Sequence, residues 1–190
     1  MYRGNHCPLR RAGAALTCLD TPGGPAYAGG MTENTFTLTS SALPDGSVVS
    51  GEHLAPEQDG SSVSPDLSWS GAPEGTKSFA VTCYDPDAPT GSGFWHWVAW
   101  DLPATTTSLP AGVGRQDDSL TQATNDFGRA GYDGPNPPPG PAHRYVFTVH
   151  ALPVESLGAD PADPHVGTRF AIFTQQLGSA SLTATYQVSD

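Results

Sequence analysis

Short alternations of apolar and polar residues recur along the chain from residue 35 onward, with Gly, Pro, Asp and Asn between them. A period of two residues places successive side chains on opposite faces of a strand, so these segments predict β-strands. Six strands are predicted, at Thr35–Thr39, Asp66–Ser70, Ser78–Tyr84, Phe94–Asp101, His143–Leu152 and Ser181–Val188. This many strands with few helical segments predicts a mainly β fold, a sandwich of two antiparallel sheets with one or two short helices.

Two of these segments have the pattern of central strands. The segment from residue 78 to residue 84 places Phe79, Val81 and Cys83 on one face, and residues 145–149 are apolar on both faces. Strands that are buried on both sides carry such near-continuous apolar runs. We therefore expect these two strands in the middle of the sheets.

The clearest helix is predicted near residues 166–177, because apolar residues recur there at steps of four, three and four. These residues are Val166, Phe170, Phe173 and Leu177. Such a spacing aligns them along one side of a helix, and that side is expected to lie on a sheet. Gly178 follows as the predicted end of the helix.

A proline-rich loop lies between residues 131 and 140, and it contains four prolines. Proline restricts the backbone, so this loop is expected to be stiff. Stiff loops are suited to forming the walls of a binding pocket.

The formal net charge of −11 disfavours binding to nucleic acid or to an anionic membrane surface. No apolar run approaches the roughly 18–20 residues that span a bilayer, so no integral membrane segment is expected. We predict no cofactor, because no glycine-rich nucleotide loop joins a strand to a helix.

The first thirty residues differ from the rest, since they hold three arginines, two of the three cysteines and a Gly/Pro-rich stretch. We interpret residues 1–30 as a disordered tail or a gene-model extension, and residues 31–190 as one domain. The apolar part of this segment is too short for an export signal. Cys83 is then the single cysteine of the domain, which favours a reducing, cytoplasmic location.

Polar residues gather where two predicted strands approach each other. Asp85 and Asp87 follow a buried strand in a proline-bounded turn, and His96 lies in the next strand. Strands that are consecutive in the chain are often neighbours, so Asp85 is expected to meet His96 and to orient its imidazole. Taken alone, each residue also fits a structural role, as a turn carboxylate or a core histidine.

A second polar segment begins at His143 and Arg144. Two carboxylates confined near one pocket need a compensating cation, and Arg144 is one of few in the domain. We therefore predict that Arg144 pairs with Asp87 and supports the site, while Asp85 faces the ligand. Taken alone, His143 also fits an exposed strand start, and Arg144 a surface ion pair.

These segments together resemble the phosphatidylethanolamine-binding protein family, in its bacterial branch, also called Raf kinase inhibitor-like proteins. The resemblance runs from about Thr35 to Tyr186. It is carried by Asp85–Pro89, Trp95–Trp97, Gly128, Gly131–Gly134 and His143–Tyr145. It implies a β-sandwich with a small pocket at one end, which in relatives binds phosphate, acetate, cacodylate or phosphoethanolamine.

The resemblance also implies which positions contact the ligand. They are Asp85, Ala88, Pro89, His96, Gly134, Pro137, Pro138, His143 and Tyr145. Pro139 stands where many relatives have a lysine, which predicts a weaker attraction for anions.

The function that these features favour is binding of a small phosphorylated or carboxylated ligand, such as a phospholipid head group, without catalysis. His96 and His143 would donate to the anion, and Asp85 would orient the imidazoles or accept from a ligand ammonium. Bacterial relatives often form homodimers, so a homodimer is also expected.

Two other functions remain open at the level of the sequence. Asp85, Asp87, His96 and His143 could hold a metal in a hydrolase, although their spacing matches no strong metal motif. The rigid loop at residues 131–140 could instead contact a protease or kinase, making the protein an inhibitor or regulator.

Overall fold

The computed structural model describes residues 35–116 and 120–189. The tail or extension predicted for residues 1–30, and the proposed domain start at residue 31, lie outside these residues. The described strands are β1 (Thr37–Thr39), β2 (Leu67–Ser70), β3 (Ser78–Asp85), β4 (Phe94–Pro103), β5 (Ser108–Leu109), β6 (Thr121–Gln122), β7 (His143–Leu152) and β8 (Gly178–Tyr186). The helices are α1 (Val113–Gln116) and α2 (His165–Gln175), with 3₁₀ turns at Gly51–His53 and Pro56–Gln58.

The strands form two sheets, and every named pair in them is antiparallel. The smaller sheet has the order β1-β2-β5, and the larger has the order β6-β4-β3-β7-β8. Strand β3 lies in the middle of the larger sheet and is buried on both faces, as its apolar run predicted. The mainly β sandwich of two antiparallel sheets is therefore confirmed.

The main core lies between the sheets. Leu38 and Trp69 of the smaller sheet share one buried cluster with Val81, Trp97 and Phe147 of the larger. The predicted face of β3, with Phe79, Val81 and Cys83, belongs to this cluster. Alternation along β3 therefore oriented its side chains correctly.

Helix α2 covers the opposite face of the larger sheet, but not with the side that was predicted. Val166 and Phe170 are 61% and 71% exposed, and Phe173 and Leu177 are also exposed. The prediction that the stripe lies on the sheet is therefore wrong for Val166, Phe170 and Leu177. It holds in part for Phe173, whose ring packs edge-on against Trp95 and His150 of the sheet. The buried positions are instead Thr168 and Ile172, which form a neighbouring stripe.

The packing of this neighbouring stripe explains the difference. Ile172 enters an apolar cluster with Trp95, Trp100 and Leu152. The guanidinium of Arg169 lies over the Trp95 ring, 4.3 Å from its centroid. A cation over an indole is attractive, so a polar residue takes part in the helix–sheet contact.

The end of α2 also differs from the prediction. The helix ends at Gln175, and Gly178 is the first residue of β8 rather than a helix stop. The backbone N–H of Leu177 donates to the carbonyl of Ala151 on β7, at 2.8 Å. This bond starts the pairing of β8 with β7 directly after the helix.

Three short elements between residues 102 and 140 were not predicted: β5, α1 and β6. Each strand has two residues and pairs with a longer one, β5 with the start of β2 and β6 with the middle of β4. Segments this short carry no periodicity, so their pairing depends on distant partners.

Among the helices of the described residues, none is long and apolar enough to cross a bilayer.

Candidate functional site

A cavity of about 180 Å³ opens at one end of the larger sheet. Antiparallel pairing places the end of β3 beside the starts of β4 and β7, and these three strand ends meet there. The residues lining the cavity are Asp85, Ala88, Pro89, Thr90, Phe94, His96, Phe127, Asn136, Pro137, Pro138 and His143. Seven of the nine ligand positions taken from the resemblance are among them.

Asp85 is buried at the end of β3, and both of its carboxylate oxygens are engaged. Oδ2 accepts from Nδ1–H of His143 at 2.8 Å. Oδ1 accepts from the backbone N–H groups of Asp87 and Ala88, at 2.8 and 3.1 Å. Asp85 therefore orients His143 and closes the turn that follows the strand.

His96 is held by a different oxygen from the one expected. Its Nδ1–H donates to the backbone carbonyl of Asp133 at 2.8 Å, and the N–H of Asp133 donates to the His96 carbonyl at 3.0 Å. The expectation that Asp85 pairs with His96 is wrong. The reason is that β7 brings His143 to Asp85, while the loop from residue 131 crosses beside His96.

The Asp133 carboxylate anchors that loop, and it is fully buried. Its Oδ2 accepts from Nδ2 of Asn125 at 2.8 Å and from Nε of Arg129 at 3.0 Å. Ser62 adds a longer bond to Oδ1. Although Asp133 lies in the recognised Gly131–Gly134 motif, sequence reasoning assigned it no role, because its partners come from separate loops.

Three aromatic rings surround His96. Phe94, Phe127 and Tyr145 lie 5.2, 5.4 and 5.2 Å from its ring, measured between centroids. Burial among these rings lowers the pKa of His96, against the hydrogen bond to Asp133 and the negative charge of Asp85. His96 is therefore neutral at neutral pH.

The predicted pairing of Asp87 with Arg144 is confirmed. Nε and Nη2 of Arg144 donate to the two Asp87 oxygens, each at 2.8 Å, and the Arg144 backbone N–H adds a bond of 2.9 Å. These hydrogen bonds from Arg144 lower the pKa of Asp87 to about 2. The pair lies beside the cavity and fastens the turn after β3 to the start of β7.

Two residues predicted to contact a ligand lie behind the cavity wall. Gly134 packs so closely on the backbone of the 3₁₀ turn that a Cβ there would be 2.4 Å from the His53 carbonyl oxygen. Tyr145 is 1% exposed beneath His96, and its hydroxyl makes no hydrogen bond within the described part of the chain. Burial and the negative charge of Asp85 raise the Tyr145 pKa.

Four lining residues were missed by sequence reasoning: Thr90, Phe94, Phe127 and Asn136. Phe94 and Phe127 are apolar, so nothing in the local pattern separates them from core residues. Phe127 packs on Phe94 at 4.6 Å between ring centroids.

Within residues 35–116 and 120–189, no group of three His, Cys, Asp or Glu side chains is placed to hold a metal ion.

Comparison with known proteins agrees with this geometry. The family model described as phosphatidylethanolamine-binding protein matches residues 39–187. The chain belongs to this family. UPF0098 protein YbhB of Escherichia coli K12 is a relative with 47% identity over 155 residues, covering 78% of this chain and 98% of its own.

Solved structures of family members are also similar. The crystal structure of Escherichia coli YbcL has 40% identity and a TM-score of 0.78, and the match covers 82% of this chain and 99% of YbcL. A phosphatidylethanolamine-binding protein homologue from Chlamydia trachomatis, CT736, has 27% identity and a TM-score of 0.70, with 83% and 100% covered. Family membership supports a ligand-binding or regulatory protein.

Proposed function

We propose that this protein binds a small anion of the phosphate type in the cavity at the end of the larger sheet. The observation that carries the proposal is the arrangement of His143. Its Nδ1–H is fixed on the buried carboxylate of Asp85 at 2.8 Å, and its Nε2 has no hydrogen-bond partner in the described chain. A charged His143 held in this way donates Nε2–H to an anion, while Asp85 balances its charge.

The rest of the lining supports a small ligand. Ala88, Pro89, Phe94, Phe127 and the two prolines of the loop give the cavity mostly apolar walls. A hydrogen bond surrounded by apolar walls is stronger than one in water. A volume of about 180 Å³ fits an anion with a small substituent.

Substitution of His143 tests the proposal. In His143→Asn, the side-chain amide replaces Nδ1–H toward Asp85, but the Nε2 position is absent. We expect phosphate affinity, measured by titration calorimetry, to fall at least about tenfold, the effect of one lost charge-assisted hydrogen bond. Glu57→Gln is the control, since Glu57 is exposed and lies outside the cavity lining. Equal affinities in the two variants would contradict the proposal.

We also propose binding without catalysis. Both oxygens of Asp85 accept hydrogen bonds, and Asp87 is engaged by Arg144, so neither carboxylate is free to act as a base. Incubation of the protein with a chromogenic phosphate monoester, with and without added zinc, is expected to release no product above the buffer rate. Release that is lost in His143→Asn would identify an enzyme instead.

We also propose location in the cytoplasm, from the buried free thiol of Cys83, and assembly into a homodimer, from the resemblance to bacterial relatives. Fractionation of native cells tests the first. Light scattering on the purified protein tests the second.

A further inference from the structure

The two imidazoles of the cavity differ in what they offer to a ligand. A backbone carbonyl only accepts hydrogen bonds, so the bond of 2.8 Å to Asp133 requires the proton of His96 to be on Nδ1. The remaining nitrogen of the neutral ring, Nε2, then carries a lone pair and accepts. His96 is therefore an acceptor at the cavity, whereas a charged His143 is a donor.

We propose that the cavity selects a phosphate group that carries a single negative charge and at least one hydroxyl, as in dihydrogen phosphate or the monoanion of a phosphate monoester. The negative oxygen accepts from Nε2–H of His143, and the hydroxyl donates to Nε2 of His96. Phosphate diesters, sulfate and carboxylates bring no proton to His96 and are disfavoured. This inference rests on the proposed anion-binding function.

The charges around the cavity favour a single negative charge over two. Asp85, Asp126 and Asp133 act on His96, and Asp87 lies near His143. Three of these carboxylates already have partners: Arg129 pairs with Asp133, Arg144 with Asp87, and His165 is bonded to Asp126. Among the lining residues there is no Lys or Arg. A dianion would therefore enter a site in which no lining residue other than a protonated histidine can supply a formal positive charge.

The hydroxyl proton stays on the ligand because His96 is poorly placed to take it. The ring lies among Phe94, Phe127 and Tyr145 and is 2% exposed. Burial of this kind penalises the imidazolium form. A ligand without a hydroxyl would place an oxygen lone pair against the lone pair of His96 Nε2. The buried Nε2 would then lack a hydrogen bond, which costs free energy.

Matched ligands of equal charge test the inference on the intact protein. At about pH 5, a phosphate monoester with a second pKa of about 6 is mostly a monoanion, as is a diester. Methyl phosphate is expected to bind at least about tenfold more tightly than dimethyl phosphate, the effect of one unsatisfied buried acceptor. At neutral pH, phosphate is expected to bind more tightly than sulfate, which has the same shape and no proton.

The source of the phosphate group is resolved by a second ligand pair. Phosphoethanolamine is a monoester, whereas glycerophosphoethanolamine carries the diester found in an intact phospholipid head group. Tighter binding of phosphoethanolamine supports the inference and favours a free monoester over the intact lipid. Equal binding of the two, or of methyl and dimethyl phosphate, overturns the inference but leaves anion binding in place.

Failure of the proposed anion binding gives a different result, because no ligand of the series would then bind.

A variant of His96 adds a measurement that a purely structural role of this residue would not change. In His96→Asn, the amide can keep the bond to the Asp133 carbonyl, but the Nε2 acceptor is gone. We expect the ratio of methyl phosphate to dimethyl phosphate affinity to fall toward one, with the ratio unchanged in the control Glu57→Gln at an exposed site. An unchanged ratio in His96→Asn overturns the inference.

Discussion

His96 and His143 are two imidazoles in one cavity, and each is held through Nδ1 by a different kind of oxygen. A carboxylate holds His143, and a backbone carbonyl holds His96. The carboxylate can balance a charge on its ring, while the carbonyl fixes the tautomer of a neutral one. Two residues of the same type in one cavity are therefore held by chemically different partners.

Asp133 is the residue on which the position of His96 depends. In Asp133→Ala, Asn125 and Arg129 lose a buried acceptor, and the loop behind His96 loses its anchor. We expect the free energy of unfolding in urea to fall by about 2 kcal/mol or more, and phosphate affinity to fall with it. Glu57→Ala, at an exposed site, is the control and is expected to stay within about 0.5 kcal/mol of wild type.

Helix α2 illustrates how an element can be predicted while its orientation is not. Val166 and Phe170 of its apolar stripe face solvent, whereas Ile172 is fully buried. The half-exposed ring of Phe173 packs edge-on against Trp95 and His150. The helix is held to the sheet by Ile172, by the edge of Phe173 and by Arg169 on Trp95. The shape of the sheet surface therefore decided which side of the helix is buried, rather than the number of apolar residues on that side.

A pair of substitutions in α2 tests this orientation. Ile172→Ala is expected to lower the free energy of unfolding by roughly 2–5 kcal/mol, because it leaves a cavity beneath the helix. Phe170→Ala, although it removes a larger side chain, is expected to change it by less than about 0.5 kcal/mol, since Phe170 is 71% exposed. Urea denaturation measures both changes. A larger loss of stability in Phe170→Ala than in Ile172→Ala would show that the side carrying Phe170 is the buried one.

His150 links three elements through a single ring. Nδ1–H donates to Oε1 of Gln176 at 2.7 Å, just after α2, and Nε2 lies 3.1 Å from Oγ1 of Thr82 on β3. With Nδ1 protonated, neutral Nε2 accepts from the Thr82 hydroxyl. Burial lowers the pKa of His150 from 6.5 to about 4, although the bond to Gln176 opposes the shift.

This lowered pKa predicts how stability depends on pH. Between pH 6.5 and about pH 4 the unfolded chain binds a proton at His150 that the folded protein does not. Its contribution to stability is therefore complete above pH 6.5 and is lost as the pH falls, by about 3 kcal/mol in total. Urea denaturation across this range is expected to give a smaller loss for His150→Gln than for wild type. Equal losses in the two proteins would contradict the assignment.

At the scale of the molecule, the cavity is built where separate parts of one β-sandwich meet. Its proline-rich wall is tied to the end of the chain, since Gly140 N–H donates to the Val188 carbonyl and Gln187 Nε2 donates to the Gly140 carbonyl. A ligand that contacts both the strand ends and this wall would bind the folded state only. Ligand binding and global stability are therefore coupled.

Calorimetry with added phosphate measures this coupling. At a phosphate concentration of about one hundred times Kd, binding is expected to add about 2.7 kcal/mol. For a domain of this size that corresponds to an increase in Tm of roughly 5–10 °C. His143→Asn is expected to show a much smaller increase at the same phosphate concentration. An equal increase in wild type and variant would show that phosphate acts elsewhere, or through ionic strength.

Much of this fold was determined by the sequence itself. The apolar alternation of β3, the bounds of β7 and the proline wall are local patterns, and local periodicity reports directly on strand faces and turns. The pairing of Asp87 with Arg144 could also be predicted, because few cations were available to adjacent carboxylates.

Only the tertiary structure decided which oxygen holds each histidine and which side of α2 is buried. His96 and the Asp133 carbonyl are 37 residues apart, and Asp85 and His143 are 58 apart. No local pattern records such contacts, since a backbone carbonyl is present at every residue. The sequence therefore determined the sandwich and most of the polar residues of its cavity, and long-range packing determined which oxygen holds each of its two imidazoles.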